Sequence, residues 1–210
     1  MNSSLGVEPK SKRSISMVRN AGAAYIRETL GVELEPGGEH GRMGTHNRLL
    51  KLGDTAYLEV LAVKPLAPKP GRSRWFGLDA LGSGAPPRLA TWVVRVDDIN
   101  AAARACPGCG VIEPMTRGTL EWRITIPADG SLPFDGVMPT LIQWKEGAHP
   151  ASRMTDRGCR LVKIAAGHPQ AERVWNVLRK LKLEGSFAIE SDNAPRLTAV
   201  IETPHGLCTL

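Results

Sequence analysis

Aromatic side chains are scarce in this chain of 210 residues: they make up 5 % of it, as five tryptophans, three phenylalanines and two tyrosines. A basic stripe interleaved with stacking aromatics, the footprint of nucleic-acid binding, is missing. The net charge of +6 and pI near 9.4 do not supply one. The charge divides into +5 over residues 1–74, −1 over 75–157 and +2 over 158–210. Much of the excess sits at Lys10, Lys12, Arg13 and Arg19, which read as a solvated tail. No nucleic-acid partner is expected. No apolar run approaches the ~18 residues of a membrane span, so no membrane partner is expected either. Met1–Lys10 lacks the apolar centre of a secretory signal. Four cysteines are too few for a disulfide framework. A reducing cytoplasm is the expected location. GxGxxG, P-loop and GxSxG patterns are all absent, which removes the dinucleotide, phosphate-loop and serine-nucleophile readings.

Turn formers are abundant instead, with 22 glycines and 16 prolines. Hydrophobic residues at 42 % and charged residues at 23 % suit a globular chain of short elements. Residues 1–12 read as a disordered lead. A strand over Ser14–Val18 precedes a helix over Ala21–Leu30, with Asn20 as cap and Gly31 as stop. Glu35–Gly44 reads as a glycine-rich loop. Thr45–Leu52 and Ala56–Ala62 read as strands around Gly53-Asp54. A Pro/Gly-rich connection over 65–87 carries Trp75-Phe76-Gly77-Leu78-Asp79. Further strands are expected at Leu89–Val96, Val111–Thr116, Thr119–Ile126 and Thr140–Lys145, with a helix after Asp97-Asp98. From Cys159 the succession repeats: a strand, a helix opened by His168-Pro169, then three strands. Ala171, Val174, Trp175, Leu178 and Leu181 line one helix face.

The succession strand, helix, two or three strands thus occurs three times, from near residues 14, 88 and 159. The fold expected is α+β: paired βαβββ modules over 13–64 and 88–147, within residues 13–151, curled into an open barrel. A third βαβββ-like unit over 158–210 would pack on them. One open sheet face per module needs a partner, and the barrel mouth is where a ligand fits.

Gly44-Thr45-His46-Asn47-Arg48-Leu49-Leu50, Tyr57-Leu58-Glu59-Val60 and Arg74-Trp75-Phe76-Gly77-Leu78-Asp79 resemble the glyoxalase-like domain proteins of the vicinal oxygen chelate superfamily. Trp92–Asp98, Leu141–Trp144, His149-Pro150-Ala151 and Gly158–Leu161 extend the resemblance from about Ala21 to Leu210. It implies a small molecule bound in the barrel mouth. It also implies a divalent metal (Zn, Ni, Mn or Fe) held by a first-strand His and a last-strand Glu of each module. The sequence departs from that plan. No histidine precedes His40, the second module offers a residue near Thr91, and Gln143 stands in the last-strand position. Only Glu59 fits.

A two-residue turn at Gly53-Asp54 would pair 46 with 61 and 48 with 59, placing His46, Arg48 and Glu59 on one face. A loop of odd length would break that parity. By the same alternation Arg123 and Gln143 oppose Ile124 and Ile142 and would point into the mouth. Glu59 and His46 are therefore the expected catalytic pair and incomplete metal ligands. Asn47, Arg48, Trp75, Arg123, Gln143 and His149 are the expected substrate-binding residues. Trp75-Phe76 would either cover the substrate or anchor the 65–87 connection, and the other four tryptophans read as core. Cys106-Pro107-Gly108-Cys109 reads as an incidental loop ending a helix. Two functions follow: a lyase or isomerase acting next to a carbonyl, or a non-catalytic binding protein that sequesters a small molecule. A homodimer is left open.

Overall fold

Alternating apolar and polar residues draw most of this chain into strands, each burying one face. The structure, a computed structural model, describes residues 13–18, 21–82, 85–145, 149–183 and 186–210. The lead over 1–12 and the Asn20 cap lie outside the described residues. In chain order the elements are β1 (Arg13–Val18), α1 (Gly22–Leu30), β2 (Glu35–His40), β3 (Thr45–Lys51) and β4 (Ala56–Val63). Then come β5 (Arg88–Arg95), α2 (Ile99–Ala105), β6 (Val111–Arg117), β7 (Leu120–Ile126) and β8 (Thr140–Trp144). The chain ends with β9 (Arg160–His168), α3 (Ala171–Lys180), β10 (Phe187–Ser191), β11 (Arg196–Thr203) and β12 (Gly206–Thr209).

Eight strands form one strongly curled sheet in the order β2-β3-β4-β1-β5-β8-β7-β6. Each half is a βαβββ module in which the first strand lies parallel to the last, β1 to β4 and β5 to β8. The halves join through antiparallel β1 and β5. The outer edges, β2 and β6, are pinned together. Arg42 donates to the Pro114 carbonyl at 2.7 Å, and both Arg42 and Arg72 reach the Glu113 carboxylate at 2.5 Å. This closes the sheet into a half-barrel and covers two edges that would otherwise invite foreign strands.

The two faces carry separate cores. On the convex face Ile15, Met17, Leu58, Val60 and Trp92 pack with α1 and α2. On the concave face Leu61, Val93, Trp122, Ile124 and Ile142 meet Trp75 and Phe76, the tip of the 65–87 crossover. Phe76 and Gly77 take left-handed φ values of 58° and 66°, a tight turn that stacks the Phe76 ring on Trp75. Asp98 caps α2 by accepting from the Asn100 and Ala101 amides at 2.9 and 3.1 Å. Gly31 ends α1 in the left-handed conformation. Cys106 and Cys109 form a disulfide across the loop after α2, where the sequence suggested only a helix stop.

The third unit has the expected succession but a different pairing. Its order is β10-β9-β11-β12, with β9 parallel to β10 and antiparallel to β11, so first and last strands are not neighbours. It packs on the convex core, where Phe187 lies between Trp92 and Trp175 at 5.7 and 5.4 Å.

Two local readings are corrected. Glu35–His40 is a strand, not a loop, paired with β3 through an irregularity between Pro36 and Glu39. Glycines 37 and 38 sit at that irregularity. The β3–β4 hairpin pairs Lys51 with Tyr57, leaving five residues between them instead of two. Leu52 explains the longer loop. It is buried in the convex core, and its carbonyl accepts the Leu161 amide at 3.0 Å. No helix among the described residues is long and apolar enough to cross a membrane.

Candidate functional site

The odd-length hairpin loop decides which side chains enter the barrel. Leu49 faces Glu59 and Asn47 faces Leu61, so Asn47, Leu49, Tyr57 and Glu59 share the concave face. His46 pairs with Ala62 and Arg48 with Val60, on the convex face. A one-residue change of loop length exchanges the two sets. This corrects the expected pairing of His46 with Glu59: the two point to opposite sides of the sheet and cannot share one ion. Arg48 is exposed there.

The second module is corrected in the same sense. Trp122, Ile124, Ile142 and Trp144 face the barrel, and Arg123 and Gln143 face outward. Gln143 accepts from Arg123 at 2.6 Å and from the Ile99 amide at 3.2 Å, and it donates to the Asp97 carbonyl at 2.5 Å. The pair thus holds the start of α2. His149 is buried against the Tyr57 ring at 5.5 Å and accepts the Ala151 amide, while its neighbour Pro150 lines the cavity. Of the eight expected residues, the structure brings together Glu59, Asn47 and Trp75.

These three line a narrow cavity open on one side, together with His40, Tyr57, Phe76, Arg117, Trp122 and Trp144. Glu59 is its carboxylate. Asn47 Nδ2 donates to Glu59 Oε1 at 2.5 Å, and Ser16 Oγ donates to Oε2 at 3.4 Å. Burial pushes the Glu59 carboxyl above its ordinary range, against the downward pull of Asn47, Arg117 and Ser16. Asn47 is fixed in turn because Gly38 N–H donates to its Oδ1 at 2.7 Å. A Cβ on Gly37 would lie 2.0 Å from that oxygen, and one on Gly38 would lie 2.8 Å from Arg117 Cδ. The glycine pair of β2 therefore makes room for two site residues at once.

His40 and Arg117 come from the opposite edges of the sheet and meet only because the barrel closes. Arg117 Nη1 lies 3.4 Å from His40 Nε2, and His40 Nδ1 lies 3.2 Å from Thr45 Oγ1. Burial lowers the His40 pKa to about 3, helped by Arg117 and His46, so the ring is neutral. A neutral ring beside a guanidinium accepts at Nε2 and carries its proton on Nδ1, toward Thr45. The cation of the site is thus Arg117, not Arg123. The alternation Glu113, Met115, Arg117 along β6 was the available sequence signal for it. Trp122 and Trp144, read as core, are cavity walls 5.2 Å apart.

A divalent metal does not fit these donors. The strand partners flanking the barrel axis are Glu59, Ser16 and Thr91. Two of them are neutral hydroxyls, and both oxygens of the third already accept hydrogen bonds. A transition-metal site calls for three imidazole, thiolate or carboxylate ligands. No cluster of three or more His, Cys, Asp or Glu suited to a metal occurs among the described residues.

A structure of a hypothetical protein from Staphylococcus aureus is similar to this chain. It is 16 % identical, with a TM-score of 0.59, and the match covers 89 % of this chain and 87 % of that one. A methylmalonyl-CoA epimerase in complex with methylmalonyl-CoA and NH4+ is 22 % identical with a TM-score of 0.44, over 67 % of this chain and 99 % of that one. The methylmalonyl-CoA epimerase from Mycobacterium tuberculosis is 16 % identical with a TM-score of 0.38, over 66 % and 88 %. No curated protein matches the chain. The glyoxalase-like domain pattern matches residues 17–181, which run from the end of β1 through the rest of both barrel modules, β9 and α3. With the curled sheet of paired βαβββ modules, this places the chain in the glyoxalase-like domain family, of vicinal oxygen chelate fold.

Proposed function

We propose that the barrel binds a small organic molecule and that Glu59 acts on it as a general base next to a carbonyl. One observation carries this reading: a carboxylate at the wall of an aromatic cavity, pushed above its ordinary pKa by burial and oriented by Asn47 and Ser16. A raised carboxyl in a cleft is matched to proton transfer near neutral pH. Glu59 takes the proton from carbon, the C–H electron pair becomes the C=C bond of an enolate as the C=O π pair moves onto oxygen, and reversal of that flow returns the proton to carbon in the isomerised product. Arg117 supplies the positive field that the developing oxyanion needs. No step passes through a metal. His46, Arg48, Arg123 and Gln143 have no part in this reading, which replaces Arg123 with Arg117.

The test is α-proton exchange. Small aldehydes, ketones and 2-oxo acids are incubated with the protein in D2O and followed by proton NMR. Wild type accelerates deuteration, and Glu59→Gln loses about a hundredfold or more of that rate. No acceleration with any of them removes the catalytic reading. The second reading, non-catalytic sequestration, is favoured by one feature: both Glu59 oxygens are occupied by protein donors.

A further inference from the structure

We infer that Arg117 and Trp75 form a receiving site for a carboxylate, so the ligand is a small organic acid with an aromatic or apolar body. The inference rests on the cavity assigned above but does not require catalysis by Glu59.

Arg117 lines the cavity as a half-buried guanidinium, and among the described residues it makes no ion pair. Glu59 acts on it only through space, since the Glu59 oxygens take their hydrogen bonds from Asn47 and Ser16. Among the described residues its side chain has one hydrogen-bond partner, His40 Nε2. His40 is neutral, so it orients Arg117 without cancelling its charge. The guanidinium keeps several donors in its rigid fork, a geometry suited to a planar carboxylate.

A second, independent donor lies in the same wall. Trp75 is 3 % exposed, and its Nε1–H has no acceptor among the described residues. A buried donor without an acceptor is costly, and an incoming ligand oxygen satisfies it. Trp75 also touches His40 edge-on at 5.0 Å, so the two donors flank the same imidazole. The rest of the wall is aromatic and aliphatic: Phe76, Trp122, Trp144, Val93 and Ile142. One cation, one orphan N–H and an apolar surround describe a site for an acid head on an apolar body.

The test is calorimetric binding of phenylacetate, phenylacetamide and phenyl phosphate to the full chain. Wild type binds phenylacetate about tenfold or more tightly than the uncharged amide. Arg117→Gln abolishes that preference and leaves amide affinity within about twofold, while Arg117→Lys keeps part of it. Trp75→Phe, which keeps the ring and removes the N–H, weakens phenylacetate binding. Circular dichroism checks that the variants fold. Three results overturn the inference: equal binding of acid and amide, a parallel loss of both in Arg117→Gln, or absence of phenylacetate binding. Tighter binding of phenyl phosphate overturns the carboxylate assignment. Absence of proton exchange in the wild type with this binding pattern intact removes only the catalytic reading of Glu59.

Discussion

Replacing Asn47 by alanine should move the ionisation of Glu59 and make the cost of the mutation depend on pH. Asn47 Nδ2 donates to Glu59 Oε1 at 2.5 Å, and Asn47 Oδ1 accepts the Gly38 amide at 2.7 Å. A hydrogen bond to a charged group contributes about 1.5–3 kcal/mol, and a neutral one about 1 kcal/mol. The first operates only while Glu59 is ionised, because it favours the carboxylate over the acid. Its loss therefore raises the Glu59 pKa further above the ordinary carboxylate range. Burial already holds the folded-state pKa above the unfolded value, so ionising Glu59 destabilises the wild-type fold as pH rises through that folded pKa. Asn47→Ala raises the folded pKa further and steepens that loss. The variant is therefore less stable than wild type by about 1 kcal/mol where Glu59 is protonated. Above the wild-type folded pKa the deficit grows to roughly 2.5–4 kcal/mol. Urea denaturation at pH steps between about 4 and 8, with the Glu59 carboxyl carbon followed by 13C NMR, measures both quantities. A deficit that does not change with pH, or an unmoved Glu59 titration, refutes the assignment of Asn47 as the donor that tunes this carboxylate.

Gly37→Ala places a Cβ 2.0 Å from Asn47 Oδ1 and 2.9 Å from the Asn47 carbonyl oxygen. It should destabilise the fold by about 1–3 kcal/mol in thermal or urea denaturation and shift Glu59 in the same direction as Asn47→Ala. Gln143→Ala strips a hydrogen-bond partner from Arg123 and from the Ile99 amide on the convex side. Denaturation should show a loss of about 1–2 kcal/mol, while phenylacetate affinity, read by calorimetry, stays at the wild-type value.

Much of this protein is written in local pattern. The alternation in Ala56–Ala62 and Thr119–Ile126, the Asp98 cap and the α3 stripe determine strands and helices residue by residue, because each records a periodicity of burial. The Trp75-Phe76-Gly77-Leu78-Asp79 cluster and the Gly44–Leu50 run carry the family, and with it the barrel. Glu59 is legible as the residue that matches an expected ligand position. Alternation says only which residues share a face, never which face is concave. Whether Asn47 or His46 joins Glu59 depends on whether the loop after Lys51 is odd or even, and burial of Leu52 against the third unit sets that length. Arg123 and Gln143 suit the mouth by polarity alone. The curl of the sheet instead turns Trp122, Ile124, Ile142 and Trp144 inward. His40 and Arg117 stand 77 residues apart, and nothing local pairs one with the other. Only closure of the edges β2 and β6 brings them within reach, and it is tertiary structure that supplies the cation the cavity needs.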